Sequence, residues 1–323
     1  MFHIYDTHDG KLQPVNEPLA LVAEARWIDL LRPTPEDEEQ INRWLGVEIP
    51  DREEMEEIEI SSRLYIEGST AFMTAIVPAF GDGDEPEMAP VTFVLTPSSL
   101  VTLRHHEPRV FALMSQRADR GLASAVDGED VFVQLLEAIV DRLADVLERY
   151  GRDIETVAKT VFAKTDIQAR SQTDFGKVLS DLGRQANALS NIRDSLVSLE
   201  RLAAFATTLL LQRKSRKELR ERLKTVARDI RSLSDHDGFL SQKINFLLDA
   251  TLGMISIEQN GIIKIFSVAA VVFLPPTLVA SIYGMNFEFM PELQWPYGYP
   301  FALGLMVVSM LLPYLYFKRR GWL

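Results

Sequence analysis

The sequence predicts an α+β domain, a mixed sheet sandwiched by helices, that continues through a long stalk helix into two C-terminal membrane-spanning helices. Three observations predict it. Residues 1 to about 130 alternate short β-like and helix-like pieces. From Glu129 onward, apolar residues recur at helical spacing, as in Leu135, Ile139, Leu143, Val146 and Leu147. Near the C-terminal end, residues 265–282 and 297–317 are uncharged and mostly apolar, each run close to the length a helix needs to cross a bilayer's hydrocarbon core.

Composition narrows the function classes. The 323 residues suffice for one sizeable domain with additions. Lys and Arg number 34 against 46 Asp and Glu, a net charge of −12, which argues against a nucleic-acid partner. The absence of cysteine excludes disulfides and thiolate metal sites. Residues 1–10 contain Asp6 and Asp9 and no apolar core, so no signal peptide is expected there.

Along the first part, Trp27-Ile28-Asp29-Leu30-Leu31 reads as a strand. Thr34 then suits a helix N-cap, Pro35 the first helical position, and Glu36 to Glu39 the positive end of the helix dipole. That acid cluster reads as capping rather than catalysis. Residues 50–60 repeat the pattern with Asp51, Glu53, Glu54, Glu56, Glu57 and Glu59. Strand candidates follow at 63–67, 71–77, 91–95 and 100–104. Residues 81–87 read as a hairpin loop, because the spaced ligands and closing Glu of a calcium loop are missing. His105 and His106, adjacent after a strand, would point to opposite sides and read as a surface turn rather than a metal site. No phosphate loop, nucleophile elbow or His-Glu-x-x-His stands anywhere in the chain, so no catalytic function is expected.

The helical region from Glu129 to about Leu233 reads as two long helices with a turn near residues 164–174. The charges of residues 214–222 read as a solvated face. Ser234-Asp235-His236-Asp237-Gly238 resembles the N-cap of the next helix. From Phe239 to Met285 nothing stops that helix, which would be roughly 70 Å long at 1.5 Å per residue. Its first half is therefore expected to project from the membrane as a stalk. Pro275-Pro276 falls in the membrane half, where missing backbone donors can bend a helix. Lys318, Arg319 and Arg320 follow the second span, while residues 286–300 contain no Lys or Arg. The positive-inside rule then places both ends in the cytoplasm and the short loop outside, in a cell inner membrane crossed twice.

Tyr283-Gly284-Met285-Asn286, followed by Phe287-Glu288-Phe289-Met290-Pro291-Glu292-Leu293, resembles the signature of the CorA family of divalent-cation channels. The resemblance includes Ile257-Glu258-Gln259-Asn260 and Phe273-Leu274-Pro275-Pro276-Thr277 upstream, and Tyr316-Phe317-Lys318-Arg319-Arg320 downstream. It implies a homopentameric funnel. Its cytosolic domain would cover residues 1–234 (an α/β part at 1–130, long helices at 131–234) and its stalk 235–264. The spans would lie at 265–286 and 297–317, with an outer loop at 287–296 and a basic tail at 318–323. Partners would be further copies of the chain, membrane lipids and divalent cations.

The residues of the first span allow an independent reading. Asn260, Ser267, Thr277 and Ser281 fall at spacings that share roughly one helix face, with Leu274 between them. Spacing alone fits either a water-facing stripe or helix packing through small residues. No carboxylate lies between Ile265 and Phe287, and Mg²⁺ gives up its water reluctantly. A neutral ring of amides and carbonyls suits an ion that keeps its hydration shell. By resemblance, Gly284, Met285 and Asn286 form the selectivity filter, and Asn260, Ile263, Phe266, Ser267, Leu274, Thr277 and Ser281 line the pore. Ile263, Phe266 and Leu274 would form an apolar constriction that gates by dewetting.

Glu288 and Glu292 in the outer loop are placed to attract cations, and equally fit exposed loop acids. The resemblance further implies a regulatory Mg²⁺ site that includes Asp249, with Asp82, Asp84, Glu85 and Glu87 as candidates for its partner. Lys318, Arg319 and Arg320 would form a basic collar. The implied function is Mg²⁺ influx, with Co²⁺ and Ni²⁺ also carried, closed when Mg²⁺ binds the cytosolic domains. Mg²⁺ is then both cargo and regulator, with no organic cofactor. Two alternatives remain: a Zn²⁺ transporter of the same superfamily, possible with proton coupling but disfavoured by Met285, and a non-transporting membrane scaffold or Mg²⁺ sensor.

Overall fold

The structure is a computed structural model that describes residues 2–15, 17, 25–57, 59–79, 86–162, 174–286, 290–291 and 295–320. It divides into two compact units, Met1–Leu247 and Leu248–Leu323.

In the first unit, seven strands form one sheet: β1 (Phe2–His8), β2 (Lys11–Val15), β3 (Trp27–Leu31), β4 (Leu64–Glu67), β5 (Thr70–Ala79), β6 (Glu87–Leu95) and β7 (Leu100–Arg104). Their order is β2-β1-β3-β7-β6-β5-β4. Among the described residues only β3 and β7 run parallel, pairing Trp27 with Leu100 through Leu31 with Arg104, so the sheet is mixed. The strands expected around residues 27–31, 63–67, 71–77, 91–95 and 100–104 are all present. Strands β1 and β2 were not among the sequence expectations.

Alternation along the strands builds two buried faces. One face packs Ile4, Ile28, Leu30, Phe72, Val94, Val101 and Leu103 with Ile41 of helix α1 (Pro35–Leu45) and Met55 of α2 (Arg52–Glu56). A short α3 (Ile60–Arg63) leads into β4. On the other side, α5 (Gly128–Phe162) packs on the sheet through Phe132, which meets Phe93 edge-on at 5.6 Å. Helix α4 (Arg109–Asp119) contributes Arg104's contact with Phe111, the guanidinium 4.7 Å from the ring centroid. The sheet is thus covered by helices on both faces, as expected.

The acids at the starts of α1 and α2 are caps. Thr34 Oγ1 accepts from the Asp37 N–H while Asp37 Oδ2 accepts from the Thr34 N–H, and Asp51 and Glu54 repeat the reciprocal pair. Each cap contributes about 1 kcal/mol. Gly46 ends α1 at φ 72°, a left-handed conformation that glycine adopts without strain.

Helix α6 (Phe175–Gln212) packs on β5, where Ser195 Oγ donates to the Ile76 carbonyl and Ser198 Oγ accepts from the Ile76 N–H. The turn expected near residues 164–174 falls mostly outside the described residues, flanked by α5 and α6.

Two expectations are corrected. The first concerns where the last long helix begins. Helix α7 runs from Lys217 to Tyr283 without interruption, so Ser234-Asp235-His236-Asp237-Gly238 is helix interior and not an N-cap. The break lies at residues 213–216 instead. There Lys214 takes a positive φ of 55°, and the Arg213 guanidinium donates to the carbonyls of Leu95 and Thr96, which pins the turn to the sheet. Residues 234–238 stay helical because Asp237 is drawn into the protein by Arg193, and tertiary contacts of that kind override the modest helix preferences of Ser, Asp and Gly. The residue-235 boundary therefore falls inside α7, whose Leu219, Leu223, Ile230, Leu240, Ile244 and Leu247 are all buried.

The second correction concerns His106. The histidine pair does sit at a bend, but His106 is fully buried, with its Nε2 2.6 Å from the Val77 carbonyl of β5. A polar partner on a neighbouring strand is what makes that burial tolerable.

The second unit contains the rest of α7 and helix α8 (Gly298–Arg319). These two helices are long and apolar enough to cross a membrane. At 22 residues α8 is about 33 Å long, close to the thickness of a hydrocarbon core.

Candidate functional site

The candidate pore residues all stand on α7. At 3.6 residues per turn, Asn260, Ile263, Phe266, Ser267, Leu274, Thr277 and Ser281 fall within an arc of about 120°. All seven are exposed in the single chain, with Ile263 at 62%, Phe266 at 72% and Leu274 at 64%. The other side of the helix is covered. Val268 is only 3% exposed, and Val272, Pro275, Val279 and Tyr283 are half-buried, at the three- and four-residue spacing of a packing seam. The helix therefore has one seam satisfied within the chain, while the rest of its circumference, Ile262, Ile265 and Phe273 included, is exposed and carries the polar stripe and three bulky apolar residues. Bulky side chains and amides this exposed need water, lipid or another protein surface.

Pro275 and Pro276 lie inside the helix without ending it. Neither supplies a backbone donor, so the carbonyls four residues earlier, Val271 and Val272, lose their usual partners. Thr277 Oγ1 donates to the Phe273 carbonyl at 2.8 Å, one turn back. Its proton is used within the helix, and its oxygen lone pairs remain available to a donor such as ion-bound water.

The helix stops at Tyr283, three residues before Asn286. The Gly284 N–H donates to the Ala280 carbonyl at 2.9 Å, and the Met285 N–H donates to the Ile282 carbonyl at 3.3 Å. Gly284 does not take a positive φ among the described glycines, so left-handed freedom is not why glycine is needed. Space there is tight instead: a Cβ would lie 3.1 Å from the Ala280 oxygen. Met285 and Asn286 are both exposed at this end. Glu288 and Glu292 lie outside the described residues.

Aromatic residues mark both ends of α8, a feature not singled out from the sequence. Trp295 meets Tyr297 and Phe301 edge-on at 5.9 and 6.1 Å. At the other end, Lys318 Nζ lies 6.0 Å from the Tyr314 ring and the Arg320 guanidinium 5.4 Å from Tyr316. Amphipathic rings at both ends, with cations beyond one of them, suit a span anchored at two membrane–water interfaces. Lys318, Arg319 and Arg320 are exposed.

Asp249 is exposed on α7, and Glu87 is exposed at the start of β6. Asp82, Asp84 and Glu85 fall outside the described residues. Among the described residues no three His, Asp or Glu side chains converge as a metal site. An exposed carboxylate has the right donor chemistry for Mg²⁺, but Asp249 alone supplies only part of a coordination shell.

A family model described as CorA-like Mg²⁺ transporter protein matches residues 22–319. The chain is 36% identical over 325 residues to the magnesium transport protein CorA of Haemophilus influenzae, covering all of both chains. It is 37% identical over 326 residues to that of Pasteurella multocida, again covering all of both. Among solved structures, the complete CorA magnesium transporter from Methanocaldococcus jannaschii matches with a TM-score of 0.81 at 20% identity, over 100% of this chain and 99% of that one. That likeness supports the fold.

Proposed function

The chain belongs to the CorA-like Mg²⁺ transporter family, and we propose that it is a Mg²⁺ influx channel working as a homopentamer. The observation that carries this reading is the polar stripe along α7, which lies opposite the seam covered within the chain. One seam is covered within the chain, while the face bearing Asn260, Ile263, Phe266, Ser267, Leu274, Thr277 and Ser281 is exposed. A single pair of helices cannot enclose water. Five copies arranged with that face inward would give a pore that alternates polar rings with apolar constrictions.

At the outer end, Asn286 from each subunit would offer a ring of neutral acceptors, held in place by the close turn at Gly284. Neutral amides bind the water shell of Mg²⁺ without removing it, which avoids the large dehydration cost of this ion. Ile263, Phe266 and Leu274 would close the path by excluding water. The same ring would admit other hydrated divalent ions of similar size, Co²⁺ and Ni²⁺ among them. Regulation would come from Mg²⁺ at the cytosolic domains, with Asp249 supplying one carboxylate and water or another subunit the remaining ligands. The Lys and Arg after α8 support an orientation with both ends in the cytoplasm.

Mg²⁺ uptake into proteoliposomes, measured with and without a proton gradient, tests this. Uptake driven by the Mg²⁺ gradient alone supports it. Uptake that requires protons or favours Zn²⁺ would move the chain to the alternative transport class, and no uptake by an assembled protein would reject transport.

A further inference from the structure

The mechanism above makes no use of Asp237, a buried carboxylate in the first unit. Four side chains in the Lys217–Leu247 stretch of α7 tie it to α5 and α6 through ion pairs. Arg222 pairs with Glu137 and Asp130, Arg231 with Glu200, Asp237 with Arg193, and Lys243 with Glu155. In three of these, water can replace a lost partner, because the side chains are at least partly exposed. Asp237 is different. Its side chain is 0% exposed, whereas that of Arg193 is 49% exposed.

Arg193 Nε donates to Asp237 Oδ2 at 2.9 Å, and Arg193 Nη2 donates to Ser241 Oγ at 3.2 Å, one turn further along α7. The guanidinium therefore bridges two successive turns. Asp237 Oδ1 is buried and accepts no hydrogen bond from the described residues. Apart from Ser195, whose hydroxyl is bonded to the Ile76 carbonyl of β5, the neighbouring buried positions on the two helices are apolar: Leu189, Ile192 and Leu196 on α6, and Leu240 and Ile244 on α7. Burial pushes the Asp237 carboxyl above its ordinary range, and Arg193 offsets only part of that rise.

We propose that the Asp237 carboxylate is a register lock between α6 and α7: its charge is tolerated only where Arg193 meets it. Sliding or turning α7 along α6 would leave an unpaired charge in an apolar seam, so the two helices hold one register rather than a range. Ile263 and Phe266 lie further along the same helix, so a transmission of the locked register to them would bear on closure. The transmission rests on the channel reading above; the register lock itself does not.

Two measurements on the full chain separate them: hydrogen exchange of the α7 amides around residues 230–247, and Mg²⁺-dependent closure of flux in proteoliposomes. Arg193→Gln strands the buried charge. It should speed exchange in that stretch and raise the half-closing Mg²⁺ concentration about fivefold or more, the range of ordinary coupling between sites. Adding Asp237→Asn removes the stranded charge and should return both quantities toward the parental values. Damaged packing would not be repaired in this way. The lock is overturned if Arg193→Gln changes neither quantity, if Asp237→Asn fails to suppress it, or if the double variant does not assemble. A parental chain that carries no Mg²⁺ would reject the channel reading, while the exchange measurement would still decide the lock.

Discussion

The Gly284 N–H donates to the Ala280 carbonyl at 2.9 Å, and a Cβ on Gly284 would lie 3.1 Å from that same oxygen. The end of α7 thus closes on a contact that leaves little space for a side chain, two residues before Asn286. Gly284→Ala would force the last turn to give by a few tenths of an ångström and carry Asn286 with it. The expected result is lower Mg²⁺ uptake with an unchanged oligomer, read by flux assay and native mass measurement on the same preparation. Parental uptake would show that the tight turn does not position the filter.

A buried network crosses the parallel pair of strands. Arg104 donates from Nε to Asp29 Oδ1 at 3.0 Å and from Nη2 to Asp29 Oδ2 at 2.7 Å, and Thr102 Oγ1 donates to Asp29 Oδ1 at 2.8 Å. Trp27 Nε1 in turn donates to Thr102 Oγ1 at 3.0 Å. Asp29→Ala would leave the Arg104 charge buried and unpaired, at a cost of about 3–5 kcal/mol. Denaturant unfolding of the purified protein should show this loss, and Arg104→Met in the same chain should recover part of it.

His106 gives a pH dependence with a defined sign. Burial, the largest influence, lowers its pKa below the ordinary 6.5, and the Val77 carbonyl only partly opposes this. The folded protein keeps the ring neutral where the unfolded chain would protonate it. The native state then binds fewer protons, so the contribution is fully present above about pH 6.5 and is lost as pH falls below it. The limiting slope for one group is about 1.4 kcal/mol per pH unit. Thermal unfolding from pH 7.5 down to 5.0 should show the parental protein losing stability faster than His106→Gln. Parallel curves would remove His106 from the account.

How much was legible in the sequence follows from how local each signal is. The caps at Thr34 and Asp51 and strands β3 to β7 were readable because alternation and capping pairs act within a few residues. The polar stripe of α7 was readable because a regular helix turns spacing into direction. Asp237 was misread because its partner, Arg193, lies 44 residues away and turns an apparent cap into helix interior. His106 was misread for the same kind of reason, its partner being the Val77 carbonyl on another strand. Which side of α7 is covered within the chain was also not legible, since small and apolar residues occur all round this helix.

Asp249 is expected to take part in closure. It is an exposed carboxylate on the helix that would carry the proposed constriction, and carboxylate oxygens bind Mg²⁺ while leaving it several waters. With Asp249→Ala, millimolar Mg²⁺ should protect the cytosolic domain from protease less well than in the parental protein. Equal protection would show that Asp249 is not needed.

The central claim is that Asn286 selects a hydrated cation, and Mg²⁺ uptake by Asn286→Ala in proteoliposomes tests it most directly. Alanine removes the amide acceptor from each subunit without disfavouring helix formation. Asn286→Asp serves as a companion, because a ring of carboxylates would hold the ion too tightly to release it. The account predicts that uptake by Asn286→Ala falls steeply while the oligomer stays the same size. Normal assembly with Mg²⁺ carried at the parental rate would contradict it.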